Sequence, residues 1–331
     1  MTAPYSLKPA LIAVDWGSTN LRAYLLDSAG GCLDREFSNE GVLNLTSSFS
    51  DVLERHVGHW LTIDTRLPIV MSGMIGSGGG WVEVSHTECP ISADKLAKAL
   101  YRVDNFNEGN CWIVPGVRAH SICNHVDLMR GEEVQIVGAL LSIEVAGDAR
   151  PDFLCLPGTH SKWVPLVQGA GEGSPVQTFS TAMTGELFSV LGRQSILSQS
   201  FSFGAAWNGQ AFVSGLETSS RRGGLLHHLF SVRSRQLNGE MNKSESRAYL
   251  SGLLIGSEIQ SMLQIDAGGE ASSRAQQRIT VVAATELASR YQAALRHFDL
   301  EACSISSETA SQLGITHIAR RAGLISGSEN G

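Results

Sequence analysis

Two turns in this chain combine the residue types that hold a phosphate group. The first is "DWGSTN" at 15–20, where an apolar run ends in a carboxylate, a glycine and three small polar residues. Gly17 lets the backbone come close to a ligand. The amides of Gly17, Ser18, Thr19 and Asn20 can converge on one phosphate as a nest does, and the Ser18 and Thr19 hydroxyls add donors. Asp15 lies too near to receive a phosphate directly and suits Mg²⁺ held through water. The second turn is "LPGTHSKWV" at 156–164, where Gly158, Thr159, His160, Ser161 and Lys162 bring a similar polar kit with a cation added. Either turn alone is an ordinary turn composition. Two of them, each between two strands at the start of one half of the chain, fit a nucleotide clasped across a cleft.

The elements that must position these turns follow from hydrophobic period. "ALIAVDW", "LRAYLLD" and "CLDREFS" read as three strands joined by short turns. "SFSDVLERHVGHWL" has a helical period, with Ser50 or Asp51 as its cap. "LPIVMSG" and "CWIVPG" are short strands, and "GEEVQIVGALLSI" is a helix. The order then restarts with "FLCLPG" and a returning "KWVPLVQG". Helices follow at "GELFSVLGR", "AFVSGLETSS" and "RAYLSGLLIGSEIQSMLQ". Then come strand "ITVVAA", helix "ELASRYQAALRHF", strand "ACSIS" and helix "SETASQLGITHIARRAG", with a polar loop at "IDAGGEASSRAQQR". The expected division is a domain over 1–145 and another over 146–331, with a hinge near 145–151.

At 331 residues the chain exceeds what one small core usually fills. Its net charge of −7, without any Lys/Arg run, disfavours nucleic-acid and anionic-membrane partners. No apolar run is long enough to span a bilayer, and "MTAPYSLKPA" lacks the pattern of a signal peptide. The six cysteines are dispersed with no C-x-x-C pair, which fits reduced thiols and a cytoplasmic location. No G-x-x-x-x-G-K-[ST] and no G-x-S-x-G occurs, so neither a P-loop nor a nucleophile elbow is expected.

The paired turns resemble the phosphate hairpins of the actin, hexokinase and heat-shock ATPase superfamily. A nearer likeness is to the 2-dehydro-3-deoxygalactonokinases, carried in order by "IAVDWGSTNLRAYL", "MSGMIGS", "IVPGV", "DLMRGEEVQIVGA", "LPGTHSKWV", "TAMTGELF", "SGLLIGSEI" and "ASRYQAAL". The resemblance implies an α/β, ribonuclease H-like fold of two domains, each a mixed sheet flanked by helices, with a nucleotide cleft between. It implies transfer from ATP, with Mg²⁺, to the 6-hydroxyl of 2-dehydro-3-deoxy-D-galactonate. Ala283, Ala284 and Thr285 stand at the adenosine contact, where the superfamily usually carries glycines.

Phosphoryl transfer needs positioning, charge neutralisation and a base for the attacking hydroxyl. Glu133 is the expected base from the helix frame, with Glu132 beside it; glutamates in a first turn also complement the helix dipole. Arg130 and Arg22 suit the substrate carboxylate. Asn20, Gly76, Ser77, Trp81 and Asn124 are the other candidates for the sugar site. His120, Cys123, His125 and Asp127 in "HSICNHVD" read as loop structure rather than a metal site, and Met183 and Glu186 as packing and capping. The competing readings are a phosphohydrolase of the same fold and a non-catalytic nucleotide switch. A homodimer is compatible with either the kinase or its competitors.

Overall fold

A computed structural model of the chain describes residues 8–168, 176–201, 204, 206–265 and 277–326. The first half opens with β1 (Pro9–Trp16), β2 (Leu21–Asp27) and β3 (Cys32–Ser38), joined as antiparallel hairpins. Leu11 to Val14 are buried without interruption because both faces of the sheet are covered, so the strand is a continuous apolar run rather than an alternation. Helix α1 (Phe49–Leu61) covers one face with Val52, Leu53, Val57 and Trp60. Its cap is Ser48, whose side chain accepts the Asp51 amide, so the helix starts earlier than the expected cap at Ser50 or Asp51.

Strand β4 (Ile69–Gly73) lies parallel to β1. Then follow β5 (Thr87–Glu88), α2 (Ala93–Lys98), β6 (Tyr101–Arg102), β7 (Cys111–Ile113), β8 (Val117–His120), β9 (Val126–Met129) and α3 (Glu132–Ala146). The main sheet has the order β3-β2-β1-β4-β7-β6, and β5-β8-β9 form a separate small sheet.

The second half repeats the plan. Strands β10 (Phe153–Leu156), β11 (Ser161–Pro165) and β12 (Ser180–Ala182) are antiparallel neighbours. Helices α4 (Thr184–Gln194), α5 (Gly209–Ser219), α6 (Gly224–Leu237) and α7 (Lys243–Ile265) follow. Strand β13 (Arg278–Ala283), α8 (Thr285–His297), β14 (Glu301–Ser306) and α9 (Ser307–Arg321) complete it. The sheet order β12-β11-β10-β13-β14, with β13 and β14 parallel, matches β3-β2-β1-β4-β7 pairing for pairing.

One core cluster lies under α1, another under α5, α7 and α8, and a third around α3 and α9 joins residues of both sheets. The two helices of this third cluster touch backbone to backbone. A Cβ on Gly138 would sit 1.9 Å from the Ala310 carbonyl oxygen, and one on Gly314 would sit 2.0 Å from that of Val134. Glycine is therefore required at both positions for the crossing. The last helix of the chain thus returns to pack on the first half.

Hydrophobic period does not reveal α2, α6, β12 or the small sheet. Helix α6 packs Leu225, Leu229 and Val232 on the core while Leu226, Phe230 and Leu237 face outward, so apolar residues on both sides blur its period. The polar loop expected at "IDAGGEASSRAQQR" lies largely outside the described residues.

Candidate active site

The first turn closes the β1–β2 hairpin, with the Gly17 amide donating to the Asn20 carbonyl at 2.9 Å. A second layer of backbone lies on it. The Val42 and Leu43 amides donate to the Gly17 and Ser18 carbonyls at 3.0 and 2.9 Å, and a Cβ on Gly41 would be 2.3 Å from the Thr19 carbonyl carbon. Glu40 anchors this layer. Its carbonyl accepts the Trp16 indole at 2.9 Å, and its carboxylate accepts Arg55 at 2.8 Å, His56 at 2.9 Å and the Thr46 hydroxyl. The Thr46 and His56 bonds, with Arg55, hold the Glu40 carboxyl down at about 2. No motif around Glu40 announces this role.

At the end of β1, Asp15 pairs through Oδ2 with Arg22 Nη1 at 3.2 Å. Burial pushes the Asp15 carboxyl up, Arg22 opposes, and the Glu132 charge adds to the rise. Arg22, expected at the substrate carboxylate, is occupied by this pair and lies over the Phe37 ring at 5.6 Å.

The second turn joins β10 to β11, and the start of α4 docks on it. A Cβ on Gly185 would be 2.2 Å from the Gly158 carbonyl oxygen, and the Glu186 amide donates to Thr159 at 2.9 Å. The Glu186 carboxylate also meets His160 Nε2 at 2.5 Å, so Glu186 holds the turn rather than merely capping its helix. Ser161 departs from expectation. It is fully buried and its hydroxyl pairs with Tyr291 at 3.1 Å, in a network where Tyr291 and Trp163 both donate to Glu258. The physical reason is strand alternation: Lys162 faces the cleft, so Ser161 faces the core.

Beside the second turn is a polar cavity of about 580 Å³, lined from both halves of the chain. The first half contributes Ser77, His86, Arg118, Arg130 and Glu132, and the second contributes His160 and Lys162. Lys162 Nζ stands 3.3 Å from Glu132 Oε1, so the two halves meet across an ion pair at the cavity wall. Arg130 donates through Nη2 to the Val84 carbonyl at 2.7 Å and lies 3.3 Å from His86 Nε2. A guanidinium only donates, so His86 accepts at Nε2 and carries its proton on Nδ1. Burial, then Arg130 and Arg118, push the His86 pKa down and favour the neutral ring. Among the described residues, Arg130 Nη1 is buried with no hydrogen-bond partner, and a Cβ on Gly76 would stand 2.8 Å from it. Arg118 pairs with Glu88 at 2.6 Å on the same wall. His86, Glu88 and Arg118 carried no sequence signal.

The two glutamates exchange places relative to the helix-frame expectation. Glu132 lines the cavity and accepts the Arg130 amide at 3.0 Å through its other oxygen. Glu133, the expected base, is fully buried, and both its oxygens take the Gly131 amide at 2.9 and 2.8 Å. The reason is phase: adjacent helical positions point about 100° apart, and the Glu133 direction is inward. Burial, then the Glu132 charge, push Glu133 up to about 8. A carboxyl raised on folding stabilises the native state fully below its unfolded pKa and loses that contribution as pH climbs toward about 8. Glu133→Gln, which does not titrate, should therefore gain on the wild type as pH rises from 5 to 8. The slope should approach roughly 1.4 kcal/mol per pH unit. Urea unfolding at four pH values measures it, and parallel curves would contradict the assignment.

The remaining candidates do not line the cavity. Trp81 stacks on Phe49, with centroids 6.3 Å apart, and sits edge-on to Phe106, so it packs instead of lining the sugar site. Asn124 takes a φ of 60° in the turn between β8 and β9. Ala283 is buried, while Ala284 and Thr285 are exposed where α8 begins. Among the described residues no group of three or more His, Cys, Asp or Glu could hold a metal, and no helix is long and apolar enough to cross a membrane. The "HSICNHVD" stretch is the β8–β9 turn and its flanks.

The sequence model of the 2-keto-3-deoxy-galactonokinase family matches residues 15–318. The chain belongs to this family. The 2-dehydro-3-deoxygalactonokinase of Escherichia coli (strain K12) is 35% identical over 325 residues, covering 96% of this chain and 98% of that protein. A crystal structure from Sinorhizobium meliloti, assigned to the same kinase, superposes with a TM-score of 0.78 at 31% identity, covering 94% of this chain and 98% of the other. The activator of 2-hydroxyisocaproyl-CoA dehydratase from Clostridium difficile, with bound ADPNP, has a TM-score of 0.50 at 13% identity and shares the fold alone, over 95% of both chains. In this galactonokinase family member the two matching sheets are those of the actin-like ATPase fold.

Proposed function

We propose that the chain transfers the γ-phosphoryl group of ATP to the 6-hydroxyl of 2-dehydro-3-deoxy-D-galactonate, with the cavity beside the second turn as the sugar-acid site. The observation that carries this reading is a cavity whose lining joins Arg130, a guanidinium suited to a carboxylate, to the Glu132–Lys162 ion pair that bridges the two halves. A sugar acid with its carboxylate on Arg130 presents its far hydroxyl toward the second turn. Lys162 then leaves Glu132 for the phosphate, which frees the Glu132 carboxylate to take the hydroxyl proton. Gly17 to Asn20 and, from the other side, Gly158 to His160 with Lys162 clasp the phosphates, and the stretch 283–285 takes the adenosine.

Asp15 fits a magnesium site in one respect: Oδ2 is held by Arg22 while Oδ1 makes no hydrogen bond among the described residues. Magnesium bound there through water would neutralise charge on the phosphates. The halves 1–145 and 146–331 act as two domains on this reading, in a cytoplasmic enzyme.

ATP offered with a panel of five- and six-carbon 2-keto-3-deoxy acids tests the proposal. ADP release that depends on the six-carbon acid, with one phosphorylated sugar per ADP, is expected. Equal release without any acid would favour a phosphohydrolase, and tight binding without turnover would favour a switch.

A further inference from the structure

The small sheet, which lines the cavity through Glu88, Arg118, Leu128 and Met129, also ties the two halves together. Asp127, in β9, accepts the Thr181 amide at 2.7 Å through Oδ2 and the Thr181 hydroxyl at 2.5 Å through Oδ1. Oδ1 also takes the Leu128 amide at 3.0 Å. Two neighbouring contacts also join the halves: the Thr178 hydroxyl donates to the His120 carbonyl at 2.5 Å, and the Ile91 amide to the Val176 carbonyl at 3.2 Å. Thr181 belongs to β12 and is the cross-strand partner of Lys162. On the other side, β9 runs directly through Met129 into Arg130 and Glu132. Asp127–Thr181 and Glu132–Lys162 are therefore two rungs between the same pair of segments. The second rung must open for Lys162 to reach a phosphate, and the first need not.

We propose that Asp127 is a positioning residue that keeps the sugar-acid site in register with the second phosphate turn while Lys162 changes partner. This rests on the kinase reading above. With the rung intact, the sugar hydroxyl stands where the γ-phosphorus is attacked. Without it, the segments separate and water competes. A water oxygen then bonds to phosphorus, the bond to the ADP oxygen breaks, the water proton passes to Glu132, and inorganic phosphate and ADP leave. Asp127 touches no reacting atom.

The test measures ADP, phosphorylated sugar acid and inorganic phosphate together, in the full chain. For Asp127→Ala, kcat for sugar phosphorylation should fall roughly tenfold, and ADP formed per sugar phosphorylated should rise clearly above one. The KM for ATP should stay nearly unchanged. Asp127→Asn keeps an acceptor for the Thr181 amide and should restore most of the coupling. Thr181→Val, which loses only the hydroxyl bond, should fall between. If Asp127→Ala does not fold, the Asn and Val variants carry the comparison. A ratio of one and unaltered kcat in folded variants, whatever their change in Tm, would overturn the proposal. Failure of the kinase reading is distinct: the wild type itself would then show no acid-dependent ADP release.

Discussion

Glu132→Gln should lower kcat by roughly 10²–10⁴-fold while the KM for ATP moves little. A primary hydroxyl is a weak nucleophile until its proton has a destination, and Glu132 is the glutamate of the pair that lines the cavity. Glutamine keeps the size and an acceptor for the Arg130 amide but cannot take the proton. It also removes the negative charge opposite Lys162, so the cation would be freer, not less free, to meet phosphate. A loss of turnover with intact ATP binding would thus report the missing base. Glu133→Gln in parallel should keep turnover within a few-fold, because that carboxyl is sealed against the Gly131 amide. Single-turnover kinetics on both variants make the comparison. Full activity in Glu132→Gln with a dead Glu133→Gln would reassign the base to the buried residue and require the helix start to open during catalysis.

Arg130→Met should raise the KM for the sugar acid by roughly 10²-fold or more. Removing one member of a desolvated charge pair costs about 2–5 kcal/mol, and a large part of this is the carboxylate left without its partner. Nη2 already serves Val84 and His86, so the orphan Nη1 is the group with capacity to spare. The methionine stem preserves most of the packing beside Gly76 while deleting the charge. A substrate analogue with the carboxylate reduced to an alcohol should bind wild type and variant alike. Initial rates over a range of both sugar acid and analogue measure this. An unchanged KM for the acid would move carboxylate recognition to Arg118, whose pair with Glu88 would then have to open.

Much of the architecture was legible because the long strands and helices of both halves obey local rules. The buried run of β1, the small residues of both turns and the glutamates after Gly131 can be read without knowing any contact. So can the likeness of the two halves, because the order of elements is written linearly. Helix α6 and the small sheet were not legible. Their residues are half-exposed and short, and only their neighbours stabilise them.

By itself, the sequence determined two phosphate-type turns at equivalent places, a pair of acidic residues at a helix start, and family membership through motifs spread along the whole chain. Only the tertiary structure decided which side chains meet. Helical phase turned Glu132 to the cavity and Glu133 inward, and strand alternation turned Lys162 to the cleft and Ser161 to Tyr291. Long-range packing brought Glu40 under the first turn, His86 to Arg130, and Asp127 to Thr181. These partners are 24, 44 and 54 residues apart, so no local period or propensity connects them.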